Sequence, residues 1–348
     1  MNNVRYVCPY PQYRSFQKQI QQSSCLYLLA EGQEAPELTR LEAVLDSTER
    51  YMTVLLLTQR FNADVLQGLS NNQNWDILID PAVPEILMDL AREKSLSFRR
   101  LLIPLDVSTR ALFNRYHRVE NNQLWDCYWQ SICEAVALFG PGKVYVHLFT
   151  GLGETEQQYV AACQRICDLG AEPTILSIAA NNRWNRKAVS IGRYRRLQVA
   201  RYLIVNEISQ ERFMQFNEFG SIYDYGLASS RLQQLLETGQ PFYQVGTDPI
   251  SGDLYAWPGH DNNIGSLRNH SPAMNPEEVS QAQQELSMID WEEEWVTMSN
   301  MVKIQEVDFS DVEEDTDLSA LIRSGNFSLL GISKDDLRYL KKSKMGRN

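Results

Sequence analysis

The chain predicts an α/β protein built on parallel strands, and three features of the sequence carry that expectation. Short apolar runs alternate with stretches whose apolar residues recur at helical spacing. The runs are continuous rather than alternating, as in MTVLLLT (Met52–Thr58), which suits strands buried on both faces. One passage, KVYVHLFTGLGETE (Lys143–Glu156), reads as a buried strand, a glycine turn and the start of a helix. It places backbone N–H groups and the carboxylate of Glu154 at the carboxyl end of a strand, where α/β proteins hold ligands. An ordinary strand–helix turn is the alternative reading of the same residues.

The elements follow in order. Met1–Ser24 is polar and reads as an irregular arm ending in a short helix, and CLYLLA (Cys25–Ala30) as a strand. Pro36–Arg50 has Leu38, Leu41, Val44 and Leu45 at helical spacing. After the Met52–Thr58 strand come a short helix over Asn62–Leu69, an Asn-rich loop and a short strand over Ile77–Asp80. Pro84–Lys94 puts Ile86, Leu87 and Leu90 on one helical face. RRLLIPLD (Arg99–Asp106) is a strand, and Ser108 and Thr109 cap the helix after it. Leu124–Phe139 is an aromatic-rich amphipathic helix, either a ligand platform or a helix packed on a barrel. Gln157–Leu169 is a helix closed by Gly170, and Glu172–Ile178 a strand.

The following loop carries Arg183, Arg186 and Lys187. The helix from Ser190 has Tyr194, Leu197, Val199, Ala200 and Leu203 inward, with Arg193, Arg195, Arg196 and Arg201 beside them. This basic patch either holds an anionic ligand, with Arg183 and Arg186 as its candidates, or pairs with carboxylates. Phe213–Gly220, Ser229–Thr238 and Asn275–Trp295 read as helical, and the segment from Gly239 to Gly259 as loop with extended pieces. DFSDVEEDTD (Asp308–Asp317) is an acidic run before an apolar-spaced segment, Leu318–Leu340, and a basic end; together they suit a partner-docking tail or a frayed terminus. The chain thus divides into a lead-in over 1–50, a core over 51–268 and an acidic tail over 269–348.

A net charge of −11 in 348 residues argues against nucleic-acid binding. No apolar run reaches bilayer length and the N-terminus has no apolar signal core, so the chain reads as cytoplasmic with no membrane partner. The six cysteines, Cys8, Cys25, Cys127, Cys133, Cys163 and Cys167, form no CxxC pair. Cys163 and Cys167 lie one helical turn apart, either as a metal pair or as buried apolar residues. The four histidines show no metal-site spacing, and there is no P-loop or GxSxG elbow.

The segments LLIPLDVSTRALFNRY and LWDCYWQSICEAVALFGPGKVYVHLFTGLGETE, with Leu169–Gly170 after them, resemble the core of the radical S-adenosylmethionine superfamily, in its biotin synthase and radical lipoyl synthase branch. RYRRLQVARYLI, MQFNEFGSIYDYG and ETGQPF resemble its later part, so the likeness spans Met52 to Pro258. The resemblance implies a partial (β/α)6 TIM-like barrel. It implies a four-iron cluster on a Cys-x3-Cys-x2-Cys loop, and an S-adenosylmethionine pocket that includes Gly151, Gly153 and Glu154. The chain departs from the pattern at the cluster: no Cys-x3-Cys-x2-Cys occurs, and QRFNADVLQGLSN, where that loop belongs, has no cysteine. Three thiolates are needed to leave one iron open. The expectation is a degenerate barrel without an iron–sulfur cluster and with no catalytic residue. It acts as a scaffold or regulatory subunit whose partner is another protein, a radical S-adenosylmethionine enzyme being the favoured class. The alternative is a cluster-free enzyme or sensor that binds S-adenosylmethionine, with Glu154, Asp106, His147 and the arginines near Arg183 as its groups.

Overall fold

Parallel pairing runs through the whole main sheet of the computed structural model, which describes residues 25–29, 52–57, 75–79, 81, 85–92, 98–117, 123–178, 189–243, 270 and 274–290. The strands are β1 (Cys25–Leu29), β2 (Met52–Leu57), β3 (Trp75–Ile79), β4 (Arg100–Asp106), β5 (Val144–Thr150) and β6 (Glu172–Ser177). They lie side by side in chain order, each parallel to the next, with no reversal and no pairing of β1 with β6 among the described residues. The α/β expectation with a parallel sheet therefore holds. By its internal contacts the chain divides into units Met1–Met301 and Val302–Asn348, and every described residue belongs to the first.

Register shows what each face of the sheet is made of, because residues two apart share a face. Ile77, Leu101 and Val144 lie in one row, Ile103, Val146 and Pro173 in the next row of that face, and Ile79, two residues on from Ile77, shares the face. All but the proline are branched aliphatics with no exposed surface. The opposite face is mixed: Asp76 lies beside Arg100, Tyr145 beside Glu172, and His147 between Pro104 and Thr174.

The helices are α1 (Glu85–Arg92), α2 (Arg110–His117), α3 (Gln123–Phe139), α4 (Glu156–Asp168), α5 (Ile191–Val205), α6 (Ser229–Glu237) and α7 (Pro276–Leu286). Helix α1 buries Ile86, Leu87 and Leu90, the face expected from their spacing. The aromatic stripe of α3 is packing: Trp125 meets Phe113 of α2 at 5.2 Å and Trp129 at 5.6 Å, both edge-on. Arg165 of α4 stacks 3.7 Å over the Trp129 ring, which joins α3 to α4. Helix α4 opens with a capping box in which Thr155 accepts from the Gln158 amide and Gln158 from the Thr155 amide. Among the described residues no helix is long and apolar enough to cross a membrane.

Two expectations are corrected. Phe213–Gly220 is not a helix: a 3-10 turn, Glu211–Phe213, leads into an antiparallel pair, β7 (Gln215–Phe216) and β8 (Ile222–Asp224). The Asn217 side chain accepts from the Phe219 and Ser221 amides at 3.0 and 2.9 Å, and such local bonds compete with a helix. The helix expected over Asn275–Trp295 is shorter, because Ser287 caps α7 after Leu286; residues 291–295 lie outside the described residues. In helix α5 the residues expected inward, Tyr194, Leu197, Val199, Ala200 and Leu203, are buried, and the arginines beside them are buried too.

Candidate functional site

The carboxyl ends of β4, β5 and β6 bring together Asp106, Ser108, the turn Gly151–Thr155 and Ser177. A bulge in β4 between Pro104 and Asp106 re-registers the strand, so that Asp106 lies beside Leu148. Asp106 is buried and held at φ 67°, a left-handed backbone strained for residues with a Cβ, although aspartate and asparagine adopt it more often than the rest. Strain of this kind collects where a ligand or a sharp change of direction must be accommodated. Two residues on, the Ser108 hydroxyl is buried with no hydrogen-bond partner among the described residues. Thr109 then caps α2, its hydroxyl accepting from the Leu112 amide at 3.3 Å.

The glycine turn after β5 is organised by Glu154. Its carboxylate accepts from the Gly151 amide at 2.7 Å, the Leu152 amide at 2.9 Å and the Thr150 hydroxyl at 3.1 Å. Arg193 of α5 closes the arrangement, with Nη2 3.3 Å from Glu154 Oε1 and a further bond to the Glu154 carbonyl oxygen. Four donors thus occupy the carboxylate, about as many as its lone pairs accept. Gly151 has φ 104°, and a Cβ there would lie 3.1 Å from Val189 and 3.2 Å from Ile178. Backbone conformation and close approach both demand glycine at that position. Gly153, at φ 116°, meets only Leu112 at 3.7 Å.

Of the sequence candidates, Gly151, Gly153, Glu154 and Asp106 gather at this edge. His147 does not: it is buried within β5, beside Pro104 and Thr174. Arg183 and Arg186 lie outside the described residues. The connection that carries them leaves from Ile178 and returns at Val189, and both of these pack on Gly151.

The basic patch of α5 pairs with carboxylates. Arg193 faces Glu154, Arg195 reaches Glu285 at 2.8 Å, Arg196 reaches Glu156 at 2.7 Å, and Arg201 reaches Glu172 at 2.5 Å. Burial pushes the Glu156 carboxyl up, while Arg196 pulls it back. Sequence reading left these partners open. The available signal was an arginine-rich helix flanked by Glu154, Glu156 and Glu172, with too many apolar residues to keep a solvated face.

Cys163 and Cys167 lie on α4, away from the carboxyl edge, and behave as packed thiols. Burial pushes Cys163 up, and Cys167 up to about 12, so neither is a thiolate near neutral pH. Cys127 and Cys133 are exposed on α3. Among the described residues no group of three His, Cys, Asp or Glu side chains is placed to hold a metal ion.

These features define a parallel α/β protein with a built turn at the carboxyl edge of its sheet. No protein-family model matches the chain, and no curated protein and no solved structure matches it either.

Proposed function

We propose that the chain is a binding or scaffold protein of the partial (β/α)6 barrel type, related to radical S-adenosylmethionine enzymes but without their redox chemistry. Six parallel strands in unbroken chain order support the barrel reading. Connections of one hand between such strands place successive helices on the same face, whereas a doubly wound sheet reverses its order. The observation that carries the functional reading is the state of Glu154. The one carboxylate of the glycine turn is consumed by its own turn and by Arg193, so that it holds a shape and leaves little for chemistry. The lack of a Cys-x3-Cys-x2-Cys motif points the same way.

In this reading the partner is another protein subunit, a radical S-adenosylmethionine enzyme by class, and the acidic tail with its Leu318–Leu340 segment is the docking handle. Mass spectrometry of what co-purifies with the native chain tests this. Enrichment of such an enzyme, lost on deleting residues 308–348, is the expected result; no stoichiometric protein partner contradicts it.

A second reading, in which the edge binds S-adenosylmethionine or a related small molecule without a cluster, has its own support. Asp106 is held in a left-handed conformation beside the unpartnered Ser108 hydroxyl. Gly151, Gly153, Arg183 and Arg186 would complete that pocket. Calorimetric titration decides it: heat saturating below millimolar ligand favours this reading, and none removes it.

A further inference from the structure

Helix α7 and the residues just after it meet α5 at Glu285 and Met288. Arg195 Nε donates to Glu285 at 2.8 Å, and Arg196 Nη1 donates to the Met288 carbonyl at 2.8 Å. At Gly192 the same Met288 carbonyl oxygen fills the place a Cβ would take, so the two backbones touch directly. A further group bears on Arg195 from the α5 side. His270, itself buried, has Nε2 3.1 Å from Arg195 Nη2. Its amide reaches the Phe242 carbonyl, which also accepts from Gln198 at 3.1 Å.

A guanidinium only donates and stays protonated in proteins, so His270 Nε2 must be the acceptor and the ring neutral, with its proton on Nδ1. Protonating Nε2 removes the acceptor and sets two cations in contact. We propose that neutral His270 is a pH-sensitive latch that holds helix α7 on helix α5 through Arg195.

The charged groups facing the imidazole among the described residues are Arg195, Glu278 and Glu285. Both carboxylates favour the imidazolium, but both are engaged. Glu278 accepts from the Asn275 amide at 2.8 Å, and Glu285 accepts from Arg195 and from Gln281 at 3.0 Å. Burial first, and Arg195 second, hold the His270 pKa below its ordinary 6.5. The sign follows. The undocked state takes up the proton first as pH falls through about 6.5, so docking is complete above that pH. It weakens by up to about tenfold per pH unit below it, until the docked imidazole titrates too. Neighbouring arginines of α5 tie this event to the carboxyl edge, since Arg193 holds the Glu154 turn and Arg196 holds both Glu156 and Met288. The latch does not depend on what that edge binds.

Hydrogen exchange on the full-length chain tests the latch, with rates corrected for the intrinsic effect of pH and α3 amides as internal reference. Protection of the α7 amides should fall by more than about twofold from pH 7.5 to 5.0, and by less than that in His270→Gln, whose amide oxygen accepts from Arg195 at every pH. Unchanged protection in the wild type, or an equal loss in His270→Gln, overturns the proposal. If that variant does not accumulate, histidine-labelled NMR of the wild type decides. The loss must track the His270 imidazole, and a midpoint in the carboxylate range near pH 4 contradicts it.

Discussion

The two ends of the main sheet are built on opposite principles. At the amino end charges are chained from element to element: Asp76 of β3 accepts from Arg99 at 3.0 Å and from Arg100 of β4 at 2.5 Å. Arg100 stands 5.5 Å over the Tyr145 ring of β5, Tyr145 bonds to Glu172 of β6, and Glu172 takes Arg201 of α5. Each link joins neighbouring strands or a strand to a helix. At the carboxyl end most bonds of Glu154 turn inward on one short loop, to Thr150, Gly151 and Leu152, with Arg193 of α5 as its link outward. There the backbone is left-handed at Asp106, Gly151 and Gly153, and the Ser108 hydroxyl lacks a partner. One end fastens the strands together, and the other spends stability on shape. That division is the one α/β proteins use to separate structure from recognition.

Substitutions at the two ends break this contrast apart. Asp76→Ala should have the largest effect, because it removes the carboxylate that both the buried Arg100 and the half-buried Arg99 bond; a loss of about 4 kcal/mol in denaturant unfolding is expected. A loss below about 1 kcal/mol would show that the chain of charges does not fasten the amino end. Glu154→Ala should cost about 3 kcal/mol, by freeing three donors of the turn and leaving Arg193 without its carboxylate. Here the exchange protection of residues 150–155 should collapse while that of β3 and β4 is kept; uniform loss across the sheet would deny the turn its local character. Ser108→Ala should be the smallest, between neutral and about 1 kcal/mol stabilising, since it removes a buried hydroxyl with no partner. Destabilisation by more than that would mean the hydroxyl is bonded in the native chain.

The strands were legible because a parallel sheet writes itself as continuous apolar runs, and MTVLLLT, RRLLIPLD and EPTILSI each became strands within two residues of expectation. The start of α4 was legible from Thr155 and Glu156, which sit where a cap and a first-turn carboxylate belong. The region after Phe213 was not, because the Asn217 side chain bonds its own backbone and spacing alone does not reveal that competition. The gathering of Gly151, Gly153 and Glu154 at a strand end was readable from the glycine turn. Its closure by Arg193 was not, since that contact spans 39 residues and depends on how α5 lies against the sheet. The same holds for Arg195 with Glu285, 90 residues apart.

The proposed function is that of a barrel-type binding or scaffold protein without radical chemistry. Anaerobic incubation of the full-length protein with ferrous iron and sulfide, desalting, and then S-adenosylmethionine with a strong reductant tests it most directly. The account predicts no retained cluster absorbance and no 5′-deoxyadenosine. Four irons and four sulfides per chain, with reductant-dependent release of 5′-deoxyadenosine, would contradict it.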